Sequence, residues 1–196
     1  MKFAVAAVGA LVFSASALAR TAEEPKVLAK VTPLPVELDP NFQFRKTKLY
    51  FLSEKGQAVK GQTSKKPNEQ SQSSVTTKSK STSAVQDASI NFERQYRLWG
   101  AVTKLDQRQR MGDYFDFFWR AKRPADLTVR LEYRQEKLHA HVQAQEISYD
   151  NVRGTNRTEF KVIGDDYFDN GRVLAWRCLL IENGHVVAEN RSFLWR

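Results

Sequence analysis

Polar and apolar residues alternate through most of the C-terminal half of the chain. Leu127, Val129, Leu131 and Tyr133 alternate with Thr128, Arg130, Glu132 and Arg134, the signature of a strand with one face turned to a core. Thr158, Phe160 and Val162 alternate in the same way with Glu159 and Lys161. Leu174, Trp176, Cys178 and Leu180 share one face of an extended strand, because side chains repeat with period two. Asn183-Gly184 follows, Val186-Val187-Ala188 resumes the apolar pattern, and the chain closes on Phe193-Leu194-Trp195. An Asn-Gly pair between two such runs predicts a hairpin on a type I′ turn, which needs positive φ at both central residues. A plain two-residue turn sets Glu189 opposite Cys178, placing a charge against the core. The pattern therefore predicts a β-bulge near Glu189–Arg191 that returns Phe193 to the core; the alternative is that this face is not fully covered.

Seven strands are predicted between residues 89 and 196: Ile90–Thr103, Asp113–Lys122, Leu127–Arg134, His139–Tyr149, Thr155–Ile163, Arg172–Ile181 and Val186–Trp195. Turn signals separate them at Met111-Gly112-Asp113, Arg123-Pro124-Ala125-Asp126, Asn151-Val152-Arg153-Gly154 and Asp169-Asn170-Gly171. Lys104–Gln109 reads as a short helical turn. Short strands with turns every 8–12 residues or so predict an all-β domain built as a sandwich.

Upstream the pattern changes twice. Residues 20–52 contain Pro25, Pro33, Pro35 and Pro40, and the run from Val31 to Pro40 excludes a helix because each proline fixes φ and lacks a donor. Asn41 to Leu52 then predicts one strand. A lone strand is unstable, so this segment is read as an extra strand able to add to a sheet, with Phe42, Phe44, Tyr50 and Phe51 carrying the contact. Residues 53–88 read as a disordered linker, since Ser, Thr, Gln and Lys fill 23 of its 36 positions. Such a composition cannot bury enough apolar surface to offset ordering entropy. Residues 1–19 read as a cleaved signal peptide. Lys2 precedes an apolar run from Phe3 to Phe13, and the stretch ending in Ala19 offers a small-residue cleavage site before Arg20. The run is too short to span a bilayer, no other segment is long enough for a membrane span, and the mature protein is placed in the periplasm or outside the cell.

Composition narrows the chemistry. The formal charge is +9, with 31 basic and 22 acidic residues. The excess is spread along the chain, which favours weak attraction to polyanions over a dedicated nucleic-acid face; export argues against nucleic acid as well. The single cysteine, Cys178, rules out an internal disulfide, and its alternation with Leu174, Trp176 and Leu180 makes it a small buried hydrophobe.

The 89–196 domain resembles immunoglobulin-like and fibronectin-type-III-like sandwiches of bacterial envelope proteins. The residues that carry the likeness are Trp119, the Asp169-Asn170-Gly171 corner, Trp176-Arg177-Cys178 in the penultimate strand, and the Asn183-Gly184 hairpin. Trp176 fills the aromatic slot two residues before the penultimate-strand cysteine, where the family has tyrosine; the partner cysteine is absent. The resemblance implies a seven-stranded sandwich of the kind found in pilus, adhesin, chaperone and secretion components, and fold does not choose among these.

No constellation for catalysis stands out. His139 and His141 lie two apart on a predicted strand, without a third ligand nearby in sequence for a zinc site. Asp165 to Gly171 fails the EF-hand spacing, with Tyr167 at the third position and Asn170 at the sixth, and reads as a corner with Tyr167 and Phe168 packed inward. No nucleophile elbow is present. The Asn156-Arg157-Thr158 and Asn190-Arg191-Ser192 triplets fall in or beside strands and read as chance matches to a glycosylation signal. Tyr114 and Phe118 are apolar on the face opposite Phe115, Phe117 and Trp119, and stand among Arg120, Lys122 and Arg123. A strand apolar on both faces either lies under a second layer or offers a binding patch. The sequence thus points to a non-enzymatic, cofactor-free interaction or assembly module of the cell envelope, with an envelope protein as partner. The second reading is an acidic glycan or polyanion held at Tyr114, Phe118, Arg120, Lys122 and Arg123; an exported hydrolase is a more distant third.

Overall fold

The segments 113–122 and 127–134 are two halves of one strand. The computed structural model describes residues 24–28, 30–53 and 90–195; the expected signal peptide at 1–19 and, apart from Ser53, the expected linker at 53–88 lie outside the described residues. The elements are β1 (Lys26–Leu28), β2 (Phe42–Leu52), α1 (90–98), α2 (Lys104–Gln109), β3 (Gly112–Gln135), a 3-10 turn (Glu136–Leu138), β4 (Gln143–Ile163), α3 (Asp165–Asn170), β5 (Val173–Glu182) and β6 (His185–Arg191). They form an open, antiparallel, six-stranded sheet in the order β1-β4-β3-β5-β6, with β2 added to β3. The chain is mostly β, as its pattern predicts. The strand count differs, because the pairs predicted at 113–122 with 127–134, and at 139–149 with 155–163, merge into β3 and β4.

The merging has a local cause. Arg123-Pro124-Ala125-Asp126 and Asn151-Val152-Arg153-Gly154 were both legible as turns, but they lie opposite each other in one long hairpin. Ala121 pairs with Gly154, Ala125 with Val152 and Leu127 with Tyr149, with register shifts on either side of Ala125. Pro124 lacks a ladder donor, and Asn151 and Gly154 adopt positive φ. These irregularities bend both strands without ending them.

The bend is sharp enough to fold β3 in two. At about 3.3 Å per residue a straight strand of this length would run about 80 Å, yet both ends of β3 reach α3. A Cβ on Gly112 would sit 3.1 Å from Cβ of Tyr167, while Gln135 Nε2 donates to the carbonyls of Asp166 and Gly171 at 2.9 and 2.8 Å. One half of the sheet therefore contains β2, residues 112–121 and residues 154–163; the other contains β1, 143–149, 127–135, β5 and β6. Phe115, Phe117, Trp119 and Phe160 of the first half face Val129, Leu131, Trp176 and Cys178 of the second in one core cluster. The Phe117 and Trp176 rings meet edge-on at 5.3 Å across it.

The Asn183-Gly184 turn has positive φ at both residues, as a type I′ hairpin requires. Its bulge lies earlier than predicted. Ile181 pairs with Val186 and Leu180 with Ala188, so the extra residue is Val187 rather than one of Glu189–Arg191. The N-terminal segment holds it there: Glu37 donates to Val186 O, Asp39 to Val187 O, and Val186 to Pro35 O. Cys178 then lies opposite Asn190, and Phe193 does not return to the core but stays 86% exposed. Trp195 is the buried terminal aromatic, with the guanidiniums of Arg134 and Arg177 over its ring at 4.8 and 5.1 Å. Together with Leu34, which packs on Leu179, Ile181 and Val186, it covers the outer face of the second half. That cover buries Arg130 and Glu132, which alternation alone assigns to solvent.

The predicted strand at Ile90–Thr103 is instead α1, ended by Gly100 at φ +80°, followed by the start of α2. Its aromatics suggested a strand, but Phe92, Tyr96 and Trp99 recur at helical spacing and Glu93 pairs with Arg97 four residues on. Thr103 and Asp106 cap α2 reciprocally. α1 lies on the outer face of the first half through Arg97, a buried cation. Its guanidinium bonds Glu93 Oε1 at 3.0 Å and Glu159 Oε1 at 2.8 Å, lies 3.8 Å from Asp116 Oδ2, and stacks 4.0 Å from the Tyr114 ring centroid. Removing one partner of a buried ionic cluster leaves charge uncompensated, at a cost of about 3–5 kcal/mol. Arg97→Ala should therefore lower stability by about 3 kcal/mol in urea unfolding, and amide exchange should show residues 90–98 opening before the sheet. Equal protection of α1 in both proteins would refute this account of its docking.

Candidate functional site

Two strand edges face each other without pairing. β2 bonds β3 along one edge and β6 bonds β5 along one edge; the fold of β3 brings their other edges together. Residues 35–39 bond to the start of β6. Asp39 then turns the chain away, accepting from the amides of Asn41 at 2.8 Å and Phe42 at 3.0 Å. Beyond this point the edges diverge into a groove of about 900 Å³, lined among others by Phe44, Thr47, Leu49, Trp176, Asn190 and Phe193. The side-chain bond from Asn190 Nδ2 to Thr47 Oγ1, 2.6 Å long, crosses it. Ser192 donates to Trp176 O. Because bonding direction alternates along an antiparallel strand, the backbones of Glu189 and Arg191 face the groove.

A smaller space of about 270 Å³, which shares Leu49 and Trp176 with the groove, is bounded by Leu49, Phe51, Asp113, Val173 and Leu194. Leu38, Leu174, Phe193 and Leu194 stand exposed along the seam. At the end near the β3 bend, Arg123 clamps the structure, donating to both Glu182 oxygens at 2.6 Å and to Asp39 at 3.1 Å, with its guanidinium 4.6 Å from the Phe42 ring centroid. At the other end, Asp113 accepts from the Val173 amide at 2.8 Å. Burial raises the pKa of its carboxyl to about 7, although the Val173 bond and the charge of Arg172 act against this.

The residues singled out on β2 divide between its faces. Phe42 is buried in the core. Phe44 lines the groove edge-on to Phe117. Phe51 packs on Tyr167 of α3. Tyr50 lies on the opposite face under Arg97. The segment is paired within its own chain.

The 114–123 surface is also divided. Tyr114 is not exposed: α1 covers it, and its hydroxyl donates to Arg110 O at 2.6 Å. Phe118 is half-buried on the uncovered part of that face, with Lys48 and Arg157 over its ring. Arg120 and Lys122 are exposed, whereas Arg123 is engaged in the clamp.

Thr47, Trp176, Asn190 and Phe193 were not identified as site residues. The available signal was the phase of β2: the bulge at Arg45 moves Thr47 and Leu49 onto the same face as Phe44. His139 and His141 lie not on a strand but in the turn before β4, with His139 at φ +52°. Among the described residues no three His, Cys, Asp or Glu side chains gather as a metal site would require. Cys178 is a free, fully buried thiol, and burial raises its pKa. The 165–171 corner is the helix α3, with Tyr167 and Phe168 packed against Met111 and Tyr114. No helix among the described residues is long and apolar enough to cross a membrane. No family model matches the chain, and neither the curated proteins nor the solved structures supply a match.

Asp113 makes stability depend on pH in a defined direction. Its carboxyl holds a proton more tightly in the folded chain, at about 7, than at the ordinary 3.8. The protonated form favours folding, so stability falls as pH rises from about 4 to about 7 and levels off above that. Asp113→Asn retains an acceptor for Val173 and should flatten this slope, adding about 1–3 kcal/mol at pH 8. Parallel urea titrations of both proteins across that range would test it, and identical pH profiles would refute it.

Proposed function

We propose that this protein is a non-catalytic, exported interaction module of the cell envelope, periplasmic or secreted. It seats an extended segment of a partner protein in the groove between β2 and β6. The observation that carries this reading is that the edges of β2 and of β6 beyond Val187 face each other without main-chain bonding, over an aromatic floor of Phe44 and Trp176. An extended peptide laid along such an edge gains affinity from main-chain bonds and specificity from alternate side chains. Here the bonds come from the backbones of Glu189 and Arg191, and the alternate side chains meet Phe44, Trp176 and Phe193. The volume suits a short peptide segment. In this reading the folded sheet is a variant of the immunoglobulin-like sandwich, its layers joined by continuous strands, and the cis-paired β2 forms one wall of the site.

A photo-reactive residue placed at Phe193 should cross-link to one other envelope protein in intact cells, whereas the same probe at Thr128 should not. Closing the groove with the pair Thr47→Cys and Asn190→Cys should abolish the adduct when oxidised and restore it on reduction. Adducts confined to the chain itself, or unchanged by oxidation of the pair, would overturn the reading.

A further inference from the structure

Helix α1 is amphipathic with its faces reversed. Against the sheet it presents charge: Arg97 and Glu93 in the ionic cluster, and Arg94, whose Nη1 donates to Ser53 O at 3.0 Å. Away from the sheet it presents Phe92, Tyr96 and Trp99, at i, i+4 and i+7, and the chain continues this apolar surface with Val102 and Leu105. Each of these five residues is at least 64% exposed. A surface helix ordinarily turns its apolar stripe inward, and an exposed apolar patch of this kind marks a surface made for contact. Neither groove described above includes these residues.

The surroundings of the stripe are basic. Residues 90–110 carry five basic side chains against two acidic ones, Glu93 and Asp106, and both acids are engaged, Glu93 with Arg97 and Asp106 with the Thr103 cap. Lys104 and Arg108 are exposed beside the stripe. The same side of the sheet presents Lys46, Lys48 and Arg120, all exposed, because they share the outward phase of Tyr114, Asp116 and Phe118. Its carboxylates are neutralised: Asp116 accepts from Arg157 at 2.7 Å, and Glu159 from Arg97.

We propose that this face lies on an anionic lipid surface, with Phe92, Tyr96 and Trp99 entering the headgroup layer and the basic side chains meeting lipid phosphates. Tyrosine and tryptophan favour the membrane–water interface, and an aromatic stripe bordered by lysine and arginine is the pattern of a helix lying in that plane. A second copy docked on this face by two-fold symmetry would set the basic border against itself. This is peripheral attachment, independent of the groove.

The protein carries its own reporter. Of its four tryptophans, Trp119, Trp176 and Trp195 are at most 9% exposed, whereas Trp99 is 82% exposed. Adding vesicles of phosphatidylglycerol and phosphatidylcholine to the mature chain should shift Trp99 emission to the blue and sediment the protein, and both effects should weaken with salt. Pure phosphatidylcholine should do neither. Phe92→Ser should weaken partition roughly tenfold or more, while Phe193→Ser, in the groove, should leave it unchanged. Emission already blue before lipid is added would show the stripe covered by the chain's own residues and overturn the proposal. So would a shift that follows protein concentration rather than lipid, or no shift with either vesicle.

Discussion

The fold depends on bending one hairpin without breaking it. β3 and β4 stay paired from Gly112–Ile163 to Tyr133–Gln143, so their irregularity around Ala121–Leu127 must turn both strands together. A full turn at Pro124 would have released two independent strands; an unbroken ladder would have left a long flat sheet with its one apolar face uncovered. Opposed bulges and the positive φ of Asn151 and Gly154 give the intermediate result, a sheet folded over its own core. Three further features follow. α3 becomes the tie between the two ends of β3, Trp176 meets Phe117 across the core, and the free edges of β2 and β6 come side by side.

The two outer faces of the folded sheet are covered by different chemistry. On the second half, Leu34 and Trp195 shelter an Arg–Glu ladder in which Glu132 accepts from Arg177 at 2.7 Å. On the first half, α1 is held mainly by charge, through Arg97 against Asp116 and Glu159, with Leu98 and Tyr114 packed beside it. An ionic docking of this kind is directional, unlike apolar burial. It fixes the rotation of α1 and so decides which face the helix turns outward, which is the aromatic one.

The groove and the aromatic helix lie on different sides of β2: the groove at its free edge and inner face, the helix over its outer face. The two proposed contacts therefore do not compete for β2, since the bulge at Arg45 turns Phe44 and Thr47 toward the groove and Lys46 and Lys48 toward the outer face. Arg123 illustrates why a basic residue in sequence is not a free cation in the fold. It closes the end of the groove by joining Asp39 and Glu182.

Local pattern carried the mostly-β character, the Asn183-Gly184 turn, the helical turn at Lys104–Gln109, the buried state of Cys178 and the inward phase of Phe115, Phe117 and Trp119. These rest on period-two alternation or on turn chemistry within a few residues. Pro124 and Gly154 were read as breaks because nothing local distinguishes a bend shared by paired strands from a turn that ends them. Helix 90–98 was missed because its aromatics favour strands and its buried face is charged, so the usual apolar stripe is inverted. The position of the bulge at Val187, the exposure of Phe193 and the groove between β2 and β6 depend on residues 35–52 meeting residues 173–193. By itself, then, the sequence determined which residues could form strands and which faces sought a core. Only the tertiary structure decided where those strands bend and which edges meet, because the bends depend on the pairing of Ala121 with Gly154 and Ala125 with Val152 across the hairpin, and the edges on contacts such as Thr47 with Asn190, 143 positions apart.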